Sequence, residues 1–449
     1  MQKIVLKSGI AVLLFLLSFS LYSSSPDTTQ RETKEGWSLG ALPVVAYDTD
    51  RGLKYGGLVN FYNYGDGSTF PDYLHSIYLE ISRTTKGSGI NQLLFDSEHI
   101  LPNQPVRFTL DLSYFTENSL DFYGFNGYEA KYKKNFSEEN NENYISRMFY
   151  MYERELFHFS LHLQDYIGDS KFKWLLGIEH FDHRLNSFDF EEYNDGTEPE
   201  DQLKDTITLY DLYNQWGLLP EKDKDGGMVN YIKSGLIYDS RDQEANPMKG
   251  IWSEVLFAGA PSFLGNKENT YLKMAAVHRQ YFTLVPEDLN LAIRLGYQGT
   301  IAGKSPFYMQ SYLLSSFTQS ANVEGLGGGK SLRGIRRNRI IGDDIVYGNF
   351  ELRWKFLRKK IFNQHLYIAL SSFWDAGKVV DPIVVDKSRI PEQYKDQLFD
   401  NNTDKLHSSV GVGLHFALNY NFIVAIDYGK ALDERDGSSG LYIGMNFLY

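Results

Sequence analysis

From Leu53 to the final Tyr449, short segments of alternating apolar and polar residues follow one another, and no helical period competes with that repeat of two. Alternation sends successive side chains to opposite faces, so each segment reads as a strand with one apolar face and one polar face. Over 345–356, Phe350, Leu352, Trp354 and Phe356 share a face opposite Asn349, Glu351, Arg353 and Lys355. Over 422–429, Phe422, Val424, Ile426 and Tyr428 oppose Asp427 and Gly429; over 441–449, Leu441, Ile443, Met445, Phe447 and Tyr449 lie together. The segments number about sixteen, an even count, as closed single-chain barrels require. The first of them is 53–64 and the fifth is 127–134, while 37–47 reads as a short segment ahead of the sheet.

A soluble sandwich could show the same pattern with its apolar faces inside. Three features favour an all-β transmembrane antiparallel barrel instead. Long connections (184–228, 300–344, 377–407) alternate with short ones (357–364, 418–421), the rhythm of a barrel with outer loops and inner turns. The last segment, Tyr-Ile-Gly-Met-Asn-Phe-Leu-Tyr, would be an aggregation hazard as a bare edge. Aromatic residues make up 15% of the chain, including 32 Tyr and 30 Phe, which suits interfacial girdles.

The address agrees. Lys3 and Lys7 precede an apolar run over 10–19 and then small residues at Ser18, Ser20 and 23–25, the pattern of a secretory signal peptide. The run is shorter than the roughly 20 residues of a spanning helix. The expected layout is a cleaved signal over 1–25, a short periplasmic segment over 26–50 and an outer-membrane barrel over 51–449. With no cysteine in the chain there are no disulfides and no thiolate metal site. A net charge of -12 argues against nucleic acid as a partner.

The run Gly327-Gly328-Gly329-Lys330-Ser331-Leu332-Arg333-Gly334-Ile335 invites a phosphate-loop reading, but Glu324 stands where that motif needs its first glycine. Glu179-His180-Phe181-Asp182-His183 offers metal-ligand types, yet strand alternation does not bring all of them onto one face, and a polar strand end is the favoured reading. Arg333, Arg336, Arg337 and Arg339 could meet lipopolysaccharide phosphates if exposed; lining the lumen against acidic wall residues is favoured. No catalytic residue, cofactor or metal is expected, and the chain does not read as an enzyme.

Leu332-Arg333-Gly334-Ile335, between the eleventh and twelfth segments, resembles the arginine-glycine-aromatic signature of the BamA-type superfamily of outer-membrane insertases and translocators, also called the bacterial surface antigen family. The run 235–242 with Pro247 and Gly250, the run 349–353, Phe373-Trp374-Asp375-Ala376-Gly377 and the run 409–413 resemble further family segments in the same order. Ile335 departs from the usual aromatic. The stretch before residue 51 leaves no room for POTRA domains, so the expected member is one without them. The resemblance implies an inward-folded loop in which Arg333 and Gly334 meet Glu351, Phe373 and Asp375. Strand parity independently places Glu351, Phe373 and Asp375 on the inner face. The resemblance also implies that Met445, Phe447 and Tyr449 serve as a C-terminal assembly signal. The implied work is protein insertion or translocation, or service as an accessory to an assembly complex. The implied partners are outer-membrane lipids and client proteins. A passive channel, a small-solute transporter or a surface-interaction barrel are the alternatives.

Overall fold

The computed structural model describes residues 35–48, 52–68, 73–98, 100, 106–244, 246–316, 324–361, 364–400, 402–418, 422–445 and 447–449. The expected signal over 1–25 lies outside them. Sixteen strands form one antiparallel sheet in chain order. They are β1 (Trp37–Asp48), β2 (Gly52–Asn63), β3 (His75–Thr84), β4 (Gly89–Ser97), β5 (Arg107–Asp121), β6 (Met151–Tyr166), β7 (Phe172–Asn186) and β8 (Gly226–Asp239). The second half comprises β9 (Gly250–Ala260), β10 (Tyr271–Val285), β11 (Leu289–Gly303), β12 (Asp344–Ile361), β13 (Gln364–Asp381), β14 (His407–Leu418), β15 (Phe422–Ala431) and β16 (Ser439–Met445).

Two elements differ from the sequence reading, and the two differences cancel in the count. The expected spacer segment is β1, paired with β2 from Trp37↔Asn63 to Asp48↔Gly52, so the sheet begins well before residue 51. Pro43 obscured it, because a proline cannot donate to a ladder and is tolerated only at a sheet edge or irregularity. The expected strand over 127–134 is not a strand. Its alternation is real, with Tyr128, Ala130 and Tyr132 buried. However, Asn126 and Gly127 take left-handed φ values of 64° and 55°, which turn the backbone out of a ladder. A single bridge, Ala130 to Phe399, remains.

The faces are sorted inside out relative to a soluble protein. On β12, Leu352, Trp354 and Phe356 are exposed while Glu351 and Arg353 are completely buried. Curvature follows from reach. Laid flat at about 4.8 Å per strand, β5 and β15 would stand about 48 Å apart. One loop nevertheless pairs Arg337 with Asp121 of β5 at 2.8 Å and Arg333 with Asp427 of β15 at 3.2 Å. The sheet must wrap around that loop.

The long connections gather at one end and close it with an aromatic cap containing α1 (Phe190–Asn194), α2 (Leu209–Gln215) and α3 (Glu392–Leu398). Helix α2 starts on a capping box: the Thr208 hydroxyl accepts from the Asp211 N–H at 3.2 Å, and the Asp211 carboxylate accepts from the Thr208 N–H at 2.8 Å. Phe122 meets Phe125, Tyr152, Tyr210 and Tyr213 edge-on, with centroids 5.0 to 5.9 Å apart. A share of the aromatic content therefore fills the cap rather than a lipid-facing girdle.

Candidate functional site

The β11–β12 connection enters the lumen, and its last part, 324–343, carries the glycine run. Gly334 has φ +94°, and a Cβ there would lie 2.6 Å from the Lys430 backbone nitrogen. A Cβ on Gly429 would in turn lie 2.6 Å from the Arg333 carbonyl carbon. Loop and wall thus meet backbone to backbone at two glycines. That contact delivers Arg333 into the wall, where it is 1% exposed.

Asp375 accepts three hydrogen bonds from Arg333: from Nε at 3.0 Å, from Nη2 at 3.2 Å and from the backbone N–H at 3.0 Å. Glu351 pairs with Arg333 Nη1 at 2.8 Å, and Asp427 accepts from the same nitrogen at 3.2 Å. The Phe373 ring lies under the guanidinium, 3.5 Å from its centroid. The Gly334 N–H donates to the Tyr442 hydroxyl on β16 at 2.9 Å. All five residues expected at this site are therefore together. Asp427 and Tyr442 join them as partners the sequence reading did not name, although parity already placed Asp427 inside. Ile335, in the usual aromatic position, fills an apolar cluster with Leu326, Leu332, Ile340 and Val379.

Glu351 is shared. Its other oxygen accepts from Arg353 Nε at 2.9 Å. Arg353 in turn donates from Nη2 to the Tyr449 carbonyl oxygen at 2.8 Å, and lies 4.1 Å from the Phe447 ring centroid and 5.1 Å from that of Tyr449. This corrects the reading of the last segment. Leu441 and Ile443 do face outward, 60% and 69% exposed, but β16 ends at Met445, whose side chain lies outside the described residues. Phe447 and Tyr449 are buried in the lumen, not on the lipid face. The Tyr449 hydroxyl donates to the Ala292 carbonyl at 3.1 Å. The cations of the inner wall draw these rings off the strand path. One carboxylate, Glu351, thereby links the inward loop to the final segment.

The first part of the same connection, described to residue 316, docks on the opposite wall. Tyr312 donates its hydroxyl proton to Glu179 of β7 at 2.7 Å, and Lys233 of β8 donates to the Ser315 carbonyl at 2.7 Å. Ser316 bonds Glu254 of β9 through both its N–H and its hydroxyl. Lys273 of β10 donates to the Met309 carbonyl at 3.1 Å. Glu179, read as part of a polar strand end, instead lies in the lumen with Phe181 and His183 on its face, bonded to Lys233 and His162 at 2.8 Å each.

The remaining loop arginines divide. Arg337 pairs with Glu117 and Asp121, as the lumen-lining reading expected. Arg339 is spent on carbonyls, donating to Gly127, Ala130 and Arg435 at 2.8 to 3.0 Å. Arg336 lies over the Tyr132 ring. Lys330-Ser331 forms no phosphate cradle: the Ser331 hydroxyl donates to the Gly327 carbonyl at 2.9 Å within the loop itself.

The family model described as the Omp85 superfamily domain matches residues 75–447. Among solved structures, BamA from Haemophilus ducreyi lacking POTRA domains 1-3 is 15% identical, covers 91% of this chain and is itself 69% covered, with a TM-score of 0.50. CdiB from Escherichia coli is 12% identical, with 91% and 62% of the respective chains covered and a TM-score of 0.52. At these identities the likeness concerns the fold. No curated protein matches. With a family model spanning most of the chain, a sixteen-stranded barrel and an arginine-bearing loop folded into it, the protein belongs to the Omp85 superfamily.

Proposed function

We propose that this barrel resides in an outer membrane and assists the insertion or passage of client proteins, alone or as an accessory to an assembly complex, through a weak seam between β1 and β16. The observation that carries the reading is the unequal length of the two end strands. β1 has 12 residues and β16 has 7, so at least five residues of the β1 edge lie beyond the reach of β16. Pro43 removes a further donor from β1, and the residues that could have extended β16 are held in the lumen by Arg353. An incomplete edge offers backbone groups to an incoming strand, the chemistry of β-augmentation.

On this reading Arg333, Gly334, Glu351, Phe373 and Asp375 lock the loop, and Met445, Phe447 and Tyr449 serve as the chain's own assembly signal before they dock. The loop's occupation of the lumen speaks against an open passive channel, and no enzymatic step is involved. Because the chain contains no cysteine, engineered pairs along β1 and β16 report on the seam alone. Locking them by oxidation should abolish client insertion into vesicles, with recovery on reduction. Undiminished activity in the locked form would overturn the proposal.

A further inference from the structure

The β8–β9 connection, at the end opposite the aromatic cap, reaches two walls at once. Both carboxylate oxygens of Glu244 accept from Arg107 Nη1 of β5, at 3.3 and 3.4 Å. Two residues on, the Asn246 amide donates to the Tyr367 hydroxyl of β13 at 2.6 Å. In a ring of sixteen strands β5 and β13 stand opposite each other, eight strands and about 38 Å apart along the sheet in either direction. Residues 244 and 246 can be no more than about 7 Å apart. The connection and its two side chains therefore cross the mouth of the barrel. They cross as one folded unit. The Asp242 carboxylate accepts from the N–H groups of Met248 and Lys249 at 3.0 and 3.3 Å, and Arg241 pairs with Asp239 and donates to the Glu244 carbonyl at 3.1 Å. The base is pinched at Gly250, where a Cβ would lie 2.3 Å from the Ser240 carbonyl oxygen.

The ties that hold this strap across the mouth are easily given up. Glu244 is 48% exposed, so its pair with Arg107 is weak, and Arg107 keeps both oxygens of Asp96 at 2.7 and 2.9 Å when the strap leaves. Besides the Asn246–Tyr367 bond, Asn290 of β11 donates to the Pro247 carbonyl at 3.1 Å and Thr283 of β10 to the Met248 carbonyl at 3.0 Å. Lys355 Nζ adds a contact with the Met248 sulfur at 3.2 Å. The amide oxygens of Asn246 and Asn290 are buried without a hydrogen-bond partner among the described residues, a cost that release into water removes. We propose that the strap is a gate: it swings off Arg107 and Tyr367 and opens the lumen to water and small hydrophilic solutes from that end. The cap and the Arg333 lock stay in place, so no through-channel forms. The inference rests on the mouth of the barrel and not on the seam.

The test is the labelling rate of a lumenal thiol by a charged maleimide, on the full-length protein in detergent micelles. Ser371 lies on the inner face of β13, four residues in from Tyr367, and its buried hydroxyl has no partner among the described residues. Ser371→Cys therefore supplies the single thiol of a chain that has none. With opening and closing fast, the rate follows the open population. Asn246→Ala and Tyr367→Phe should each speed labelling about tenfold, and Glu244→Gln about threefold. Glu98→Gln is the control, because Glu98 also meets Arg107, at 3.5 Å, but belongs to the wall and not to the strap; it should leave the rate unchanged. Raising salt from about 0.01 M to about 1 M should speed labelling of the parent and not of Glu244→Gln. Unchanged rates in both Asn246→Ala and Tyr367→Phe would overturn the gate, as would equal acceleration by Glu98→Gln and Glu244→Gln. Heat-modified gel mobility confirms that each variant is folded, and Glu244→Gln with its salt response keeps the test decisive should Asn246→Ala or Tyr367→Phe fail to fold. Labelling needs no client, so its outcome is independent of the seam.

Discussion

The two parts of the inward loop are attached to the barrel in opposite ways. Over 324–343 the loop supplies the charge: Arg333 and Arg337 reach wall carboxylates. Over 305–316 the wall supplies the charge, and the loop offers carbonyls and hydroxyls to Lys233, Lys273, Glu179 and Glu254. The consequences of release differ accordingly. If the first part leaves, Glu179 keeps Lys233 and His162 and Glu254 keeps the Trp252 indole N–H at 3.4 Å, while Lys273 loses its bonds to Met309 and Gln310. If Arg333 leaves, the cationic partners that remain to Glu351, Asp375 and Asp427 among the described residues are Arg353, bound to Glu351, and His415, 3.4 Å from Asp427. Stranding a cluster of three buried carboxylates is costlier than stranding one lysine and losing charge-assisted bonds to carboxylates that keep other partners. The second part is therefore the more firmly held.

The largest expected effect is that of Arg333→Ala, which should destabilise the barrel by about 3–5 kcal/mol. Urea titration read by heat-modified gel mobility would show it. Arg333→Lys should recover only part of the loss, since an ammonium cannot span Asp375 with two parallel bonds. Tyr312→Phe should cost about 1.5–3 kcal/mol and leave the protease resistance of 324–343 unchanged. A loss equal to that of Arg333→Ala would erase the distinction between the two parts.

The smallest effect concerns the rim above the second part, where His407 stands between Asp404 at 2.9 Å and Asp436 at 2.6 Å, and Asp436 lies 3.8 Å from Arg339. Burial alone would raise the Asp404 carboxyl. The hydrogen bond and charge of His407, with the N–H groups of Tyr128 and Val379, hold it below the usual aspartate value. A depressed folded value means that its contribution is present above the unfolded value of about 4 and is lost as pH falls below it. Protease resistance of the rim should be flat from about pH 7 to 5 and fall below about pH 4, and Asp404→Asn should remove that fall. Loosening already between pH 7 and 5 would show that Asp404 is not the group in control.

Much of the site was legible because it rests on parity. Glu351, Phe373, Asp375 and Asp427 occupy inner-face positions that a repeat of two assigns without any knowledge of the fold. The first part of the loop was not legible. Residues 305–316 carry neither a motif nor a periodic pattern, and Tyr312 meets Glu179 only because the sheet wraps 133 positions of sequence back onto itself. Residues 127–134 show the reverse failure. Their alternating burial looks like a strand, but the left-handed residues Asn126 and Gly127 at its start spend that alternation on the cap. Pro43 made a true strand look like a spacer.

The sequence by itself determined the all-β class, the inside-out sorting of the strands and the arginine that the loop carries, because these depend on local repeats and on one short motif. Tertiary structure decided that Glu351 serves both Arg333 and Arg353, that Phe447 and Tyr449 turn inward, and that the loop reaches both walls. Those outcomes depend on distances across the lumen, set by the curvature of sixteen paired strands, and a repeat of two carries no information about them.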